Sequence, residues 1–120
     1  MNIVMENGCS PEQLSQVDYD FAFGGEIVDE RCNASIQHLG STSKCLLKVI
    51  YDANKYIINI NNTECFVDDA EEIITQLGIV NTSKIILDCT SLGVAEMLIL
   101  IQALYNLKCY EFDVLYVEPI

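Results

Sequence analysis

The feature that most restricts the fold of this chain is an abrupt change from strand-forming to helix-forming residues between Lys84 and Leu107. The segment from Lys84 to Asp88 contains a short apolar run, Ile85 to Leu87, that is typical of a buried strand. Asp88-Cys89-Thr90-Ser91-Leu92-Gly93 then brings an acid, two hydroxyls and a glycine, and an apolar helix is predicted from Val94 to Leu107. A buried strand that leads directly into a helix is typical of a βαβ unit in a parallel sheet.

The same alternation of strands and helices continues through the rest of the chain. The pattern predicts further strands at Tyr19 to Phe23, Cys45 to Tyr51, Tyr56 to Asn61 and Phe112 to Val117, and further helices from Val28 or Asp29 to Leu39, ended by Gly40, and from Asp68 to Leu77, ended by Gly78. The second and third of these strands are joined by only four residues, which suggests a hairpin, with a pair of separated strands as the alternative. We therefore predict a three-layer Rossmann-like α/β domain over residues 18–120, with a mainly parallel sheet of about five strands. Residues 1–17 form a lead segment with a capped turn and a short helix expected at Ser10-Pro11-Glu12.

Composition places the chain among globular domains and excludes several functions. Of its 120 residues 51% are hydrophobic, yet the longest apolar run, Met97 to Ile101, is far below the roughly 20 residues that span a bilayer. No signal peptide is recognisable, so a cytoplasmic protein with reduced thiols is expected. Six cysteines without a Cys-x-x-Cys pair, and the single His38, predict neither a metal–thiolate site nor another cofactor.

The charge balance is strongly acidic, with 18 acidic against 6 basic residues and a net charge of −12. Such a field repels a phosphate backbone, so direct binding of duplex nucleic acid is not expected. Arginine occurs once, at Arg31, and an anionic ligand would find few bases to meet it.

Two loops follow predicted parallel strands and therefore belong to the carboxyl edge of the sheet, where open α/β sheets bind ligands. The first begins with Gly24-Gly25-Glu26, and the second contains Thr90 and Ser91. Glycines permit tight turns and close approach of a ligand, while hydroxyls and free amides at a helix start attract carboxylates or phosphates. The candidate ligand-binding residues are Gly24, Gly25, Glu26, Arg31, Thr90, Ser91 and Gly93.

Each of these features also has a simpler interpretation. A Thr-Ser pair before a helix is a common cap, and acids such as Glu26, Asp29 and Glu30 favour a helix amino terminus. Alternatively, Glu26 and Asp29 together with Asp88 would supply oxygen ligands for Mg²⁺. Neither interpretation assigns a catalytic residue. A thiolate at Cys89 would be favoured by the helix dipole, but nothing in the sequence places His38 beside it as a base.

The two-loop layout resembles the CRISPR-associated Rossmann-fold (CARF) sensor domains over about residues 18 to 118, at the level of topology and of the loop Asp88-Cys89-Thr90-Ser91-Leu92-Gly93. The resemblance implies cyclic oligonucleotide binding at the carboxyl edge, often across a homodimer, and control of an attached effector. The motif pair GGEIVDERC and LDCTSLG is also similar to the leading domain of uncharacterised bacterial proteins found near defence genes. That likeness implies a module of an anti-phage defence protein.

Three functions of different classes remain open. The first is a nucleotide-sensing or regulatory module, the second is a structural or oligomerisation domain, and the third is a Mg²⁺-dependent phosphoryl-transfer or nuclease-type enzyme. The first is favoured, so a binding protein is expected rather than an enzyme. The predicted helix from Val94 to Leu107 is apolar on nearly all sides, which predicts a homo-oligomer or a longer chain with further domains. Leu100, Ile101 or Leu104 is expected near that interface.

Overall fold

The computed structural model describes residues 2–6 and 18–117, with side chains from residue 18 onward. Within these ranges the strands are β1 (Asn2–Glu6), β2 (Tyr19–Gly24), β3 (Ser43–Asp52), β4 (Ile57–Ile60), β5 (Thr63–Phe66), β6 (Ile85–Asp88) and β7 (Asp113–Val117). The helices are α1 (Glu30–Thr42), the 3₁₀ turn Val67–Asp69, α2 (Ala70–Gln76) and α3 (Val94–Asn106). The helix predicted after Ser10 lies outside the described residues.

All described strands belong to one sheet with the order β1-β7-β6-β2-β3-β4-β5. The first five in this order run parallel, whereas β4 and β5 are antiparallel additions at one edge. The α/β class is confirmed, and β6 lies inside the sheet between β2 and β7. The predicted count of about five strands is too low, because β1 and β5 were not recognised.

The missed strand β5 follows a turn that contains no glycine. Ile60 pairs with Thr63, so Asn61 and Asn62 alone connect β4 to β5. Both asparagines have positive φ angles, 52° and 68°, as a two-residue turn of type I′ requires. The predicted hairpin between β3 and β4 is confirmed by their antiparallel register, in which Val49 pairs with Ile60.

Helices cover both faces of the sheet, which makes the domain three layers deep. The larger core lies on the face of α2 and α3, where Ile74, Leu100 and Leu104 pack against sheet residues such as Phe23 and Leu87. The smaller core lies on the face of α1 and contains Tyr19, Ala22, Leu39, Ile86, Leu115 and Val117.

Helix α1 continues through Gly40 and ends at Thr42, so the predicted stop at Gly40 is wrong. At this helix end, hydroxyl groups donate hydrogen bonds to backbone carbonyls in place of the predicted glycine cap. Those of Ser41 and Thr42 donate to the carbonyl of His38 at 2.8 and 2.9 Å, and that of Ser43 donates to the carbonyl of Leu39. The carbonyl of Leu39 also accepts a hydrogen bond from the backbone amide of Ser43, so the hydroxyls add second hydrogen bonds in the last turn of the helix.

The apolar helix α3 buries two of the three residues that were expected near an interface. Leu100 and Leu104 are completely covered by the domain's own core and are not available to contact a partner. Ile101 is only partly covered, so it is the one of the three that is available for the expected interface, which stays a prediction. The exposed apolar residues of this helix are Val94, Leu98 and Tyr105. None of the helices in the described ranges has the length and apolarity needed to cross a membrane.

Candidate functional site

The two loops singled out in the sequence meet where the connections of the sheet diverge. Strand β2 continues through α1 to β3 on one side, whereas the neighbouring β6 continues through α3 to β7 on the other side. Because α1 and α3 also cover opposite faces, the carboxyl ends of β2 and β6 form the topological switch point of the sheet. The geometry therefore places both loops at the position where such folds bind ligands.

Gly25 and Ser91 join the loops directly. The amide of Gly25 donates a hydrogen bond of 2.8 Å to Oγ of Ser91. A Cβ atom at Gly25 would lie 2.2 Å from the carbonyl oxygen of Ser91, which is far closer than any side chain tolerates. Close approach of two backbones is thus the physical reason for glycine at this position.

The carboxylate of Asp88 is the centre of a buried network behind this contact. Its Oδ2 accepts hydrogen bonds of 2.6 Å from the hydroxyls of Ser35 and Ser91, and its Oδ1 accepts one of 3.0 Å from the amide of Thr90. Because Asp88 is completely buried, water does not solvate its carboxylate, and these three donors take the place of water. The network ties β6, α1 and the loop after β6 into one unit.

The hydrogen bonds to Asp88 argue against the hypothesis that Asp88 binds Mg²⁺ together with Glu26 and Asp29. The carboxylate is enclosed by protein donors, whereas Glu26 and Asp29 are exposed. Among the residues that the structure describes, no group of three or more histidines, cysteines and carboxylates is placed to hold a metal ion. The carboxylates at positions 26, 29 and 88 therefore do not converge.

The hydroxyl of Thr90 is also used internally, because its Oγ1 accepts a hydrogen bond of 2.8 Å from the amide of Val117. Neither Thr90 nor Ser91 caps α3; the N-cap is Gly93, which has no side-chain bond. The carboxylate of Glu96 folds back over this end, with Oε2 2.5 Å from where a Cβ of Gly93 would stand. The start of α3 therefore already faces an anionic group of the protein itself.

Cys89 has the environment of an inert thiol. Its Sγ donates to the carbonyl of Leu115 at 3.0 Å. Burial, reinforced by the nearby charge of Asp88, raises the pKa of the thiol above its ordinary value. The helix dipole does not make Cys89 a thiolate, which argues against a cysteine nucleophile.

At the start of α1, Asp29 is the N-cap, and its Oδ1 accepts a 2.9 Å hydrogen bond from the amide of Cys32. This bond, with a smaller contribution from Arg31, lowers the pKa of the Asp29 carboxyl. Arg31 lies 3.7 Å from the second carboxylate oxygen. Part of the charge of the single arginine is therefore already balanced within its own helix turn.

An open groove of about 350 Å³ adjoins the glycines of the first loop. Its lining comprises Gly24, Gly25, Glu26, Ile27, Ile36, Leu46 and Lys48. Of the sequence-predicted residues, Gly24, Gly25 and Glu26 line this groove, whereas Arg31, Thr90, Ser91 and Gly93 do not. The groove has apolar walls with one carboxylate and one ammonium group.

Lys48 was not recognised from the sequence. It pairs with Gly24 in the β2–β3 register and is exposed beyond the apolar side chain of Leu46 on the same pleat face. Alternation along β3 was the available signal, since a lysine two residues after a core residue points to the same face. The pairing partner that brings it to the loop comes only from the register.

The chain matches no protein-family model, no curated protein and no solved structure at a significant level. The five cysteines within the described ranges are free thiols; Cys9 lies outside these ranges.

Proposed function

We propose that this domain is a nucleotide-binding regulatory module and that its ligand binds in the groove between the loop after β2 and Lys48. The observation that carries the proposal is the position of this groove. It opens at the carboxyl edge, beside the glycine loop of the switch-point strand. The resemblance to CARF sensor domains supports binding at this edge. The similarity of GGEIVDERC and LDCTSLG to proteins found near defence genes supports a role as a module of an anti-phage defence protein.

The lining of the groove fits the parts of a nucleotide. Ile27, Ile36 and Leu46 offer an apolar surface on which a base can lie. Lys48 supplies a point charge for a phosphate, and the carboxylate of Glu26 accepts hydrogen bonds from amino or ribose hydroxyl groups. With one lysine in the groove and a net charge of −12, a ligand with a single phosphate is favoured over a polyphosphate.

A structural or oligomerisation role is the second candidate. It is favoured by the apolar side chains of Val94, Leu98 and Tyr105 on α3, which remain exposed on the surface of the domain. The two roles are compatible, because the groove and this face of α3 share no lining residue.

The proposal is tested by thermal unfolding of the protein with adenosine, guanosine, cytidine and uridine monophosphates and their cyclic forms. A ligand that binds the folded state at about 100 times its Kd stabilises it by roughly 2.7 kcal/mol and raises Tm. Calorimetry on any positive nucleotide then compares Lys48→Ala with Lys44→Ala. Lys44 is a matched control, since it is exposed on the same face of β3, lies four residues before Lys48 and does not line the groove.

We expect Lys48→Ala to weaken binding about tenfold or more, as loss of a charged hydrogen bond of about 1.5–3 kcal/mol implies, and Lys44→Ala to leave it unchanged. The proposal is wrong if no nucleotide raises Tm. It is also wrong if the two variants bind a nucleotide equally well.

A further inference from the structure

Helix α3 carries an apolar stripe that the rest of the domain covers only in part. Val94 is 78% exposed, Leu98 63% and Tyr105 46%, and Ile101 between them is partly exposed. These four residues, called the α3 stripe below, are spaced by four, three and four positions. This spacing is that of the core positions of a coiled coil, where one helix packs along another.

The α3 stripe is symmetric about its own centre, between Ile99 and Leu100. When two copies of α3 are placed antiparallel about a two-fold axis at this point, Val94 of each copy meets Tyr105 of the other. Leu98 of each copy meets Ile101 in the same way. Each large or β-branched side chain thus finds an apolar partner over about three helical turns, or roughly 16 Å.

The near absence of charged residues on α3 favours a second copy of the chain over an unrelated protein as the partner of the stripe. Only one of the 13 residues of α3, Glu96, is charged, although the chain as a whole carries −12. Two acidic copies repel each other over most of their surfaces, and the α3 stripe is a place where they meet with little repulsion. A basic partner drawn by the net charge would find no acid in the stripe to pair with.

Apolar surface also adjoins the stripe at both of its ends. A groove of about 480 Å³ adjoins its amino-terminal half and is lined by Tyr51, Tyr56, Phe66, Val67, Asp68, Ala95, Leu98 and Ile99. At the other end Tyr110 packs against Tyr105, with ring centroids 5.4 Å apart. An antiparallel arrangement places the helix end that carries the tyrosine pair of one copy beside the groove-bearing end of the other. Such flanking contacts extend the interface towards the roughly 800 Å² per partner that a stable complex buries.

From these relationships we propose that the protein forms a two-fold symmetric homodimer in which α3 packs antiparallel against α3 of the second copy. The contact is isologous, so each copy contributes the same residues. This proposal does not depend on nucleotide binding.

The first test is sedimentation or light scattering of the whole chain at concentrations up to about 100 µM, where a dimer with a micromolar Kd is largely assembled. Leu98→Glu is compared with Val80→Glu, a matched control because Val80 is also an exposed apolar residue but lies in the loop before β6. We expect the wild type and Val80→Glu to be dimers and Leu98→Glu to be a monomer. Circular dichroism and thermal unfolding establish that each variant is folded.

The second test concerns the antiparallel register. Leu98→Glu and Ile101→Lys are combined in one chain, so that Glu at position 98 meets Lys at position 101 of the other copy twice. We expect the double variant to dimerise again at low salt, more strongly than Leu98→Glu alone. A monomeric wild type, a Leu98→Glu variant that remains a dimer, or a folded double variant that remains a monomer would each overturn the proposal.

Discussion

The hydroxyl group of Ser91 accepts a hydrogen bond from the amide of Gly25 and donates one to the buried carboxylate of Asp88. One side chain therefore connects the loop after β2 to the strand end of β6. Both partners of the Ser91 hydroxyl are fixed by the sheet, since β2 and β6 are neighbours with Phe23 paired to Leu87. The carboxyl edge is consequently held in one arrangement by the protein itself, before any ligand arrives.

Replacing Gly25 by alanine tests the close contact of the two loops. The new methyl group would meet the backbone of Ser91 at 2.2 Å, so the loops must separate, and we expect the free energy of unfolding to fall by about 1–3 kcal/mol or more. Gly40→Ala is the control, because a Cβ there has no neighbour within 4 Å and the site is helical. That variant should gain about 0.5–1 kcal/mol. Urea unfolding measures both, and equal stability of Gly25→Ala and wild type would contradict the contact.

Removal of the Ser91 hydroxyl tests the network around Asp88. Ser91→Ala leaves the Gly25 amide without its acceptor and deprives Asp88 of one donor, so a loss of about 1–3 kcal/mol in unfolding free energy is expected. Ser41→Ala serves for comparison, because its hydroxyl only supports an exposed helix end; it should change stability by less than about 0.5 kcal/mol. Similar values for the two variants would show that the network contributes little.

The Asp29 cap predicts a dependence of stability on acid. Hydrogen bonding from the amide of Cys32 lowers the pKa of Asp29 in the folded state below the ordinary value of about 3.9. The contribution of the carboxylate is therefore present above pH of about 4 and is lost as the pH falls through the folded-state pKa. Asp29→Asn keeps an N-cap acceptor without a charge, so its unfolding free energy should fall less steeply than that of wild type below pH 4. Parallel acid profiles for the two proteins would refute this assignment.

Tyr19 predicts a dependence at the alkaline end. Burial, together with the 2.5 Å hydrogen bond to Asp113, raises the pKa of the phenol well above its usual 10. The unfolded state loses this proton near pH 10 while the folded state retains it, so stability should fall as the pH rises above 10. Tyr19→Phe should lose about 1 kcal/mol at neutral pH but show a weaker alkaline decline. Unfolding by urea at pH 7 to 11 distinguishes the two, and an equal decline in both proteins would exclude Tyr19 as its source.

Local sequence patterns were sufficient for the elements whose periodicity is strong. The strand ending at Asp88 and the helix beginning at Val94 lie where expected, and the glycine-ended helix before Gly78 is close to its predicted bounds. Strand β5 was missed because Asn61 and Asn62 adopt left-handed conformations that a glycine search does not detect.

The candidate site depended on partners that local patterns do not contain. Thr90 and Ser91 suggested a helix cap, yet their hydroxyls bond to Val117 and Asp88 through the packing of the sheet. The role of Ser35, a buried helix residue 53 positions before Asp88, follows only from the three-dimensional arrangement. Likewise, the position of Lys48 beside Gly24 results from strand register.

The pairing of β1 with β7 has a consequence for the folding of the protein during its synthesis. Asn2 lies opposite Asp113, so the two strands are among the first and the last described segments to be synthesised. Strand β1 therefore leaves the exit tunnel long before its neighbour exists, and closing so long a loop is entropically slow. Once β6 has been synthesised, β2 to β5 have all their neighbours and β6 has one, whereas Asn2–Glu6 has no neighbouring strand to pair with. The sheet is completed only when Asp113–Val117 emerges and takes its place between β6 and β1.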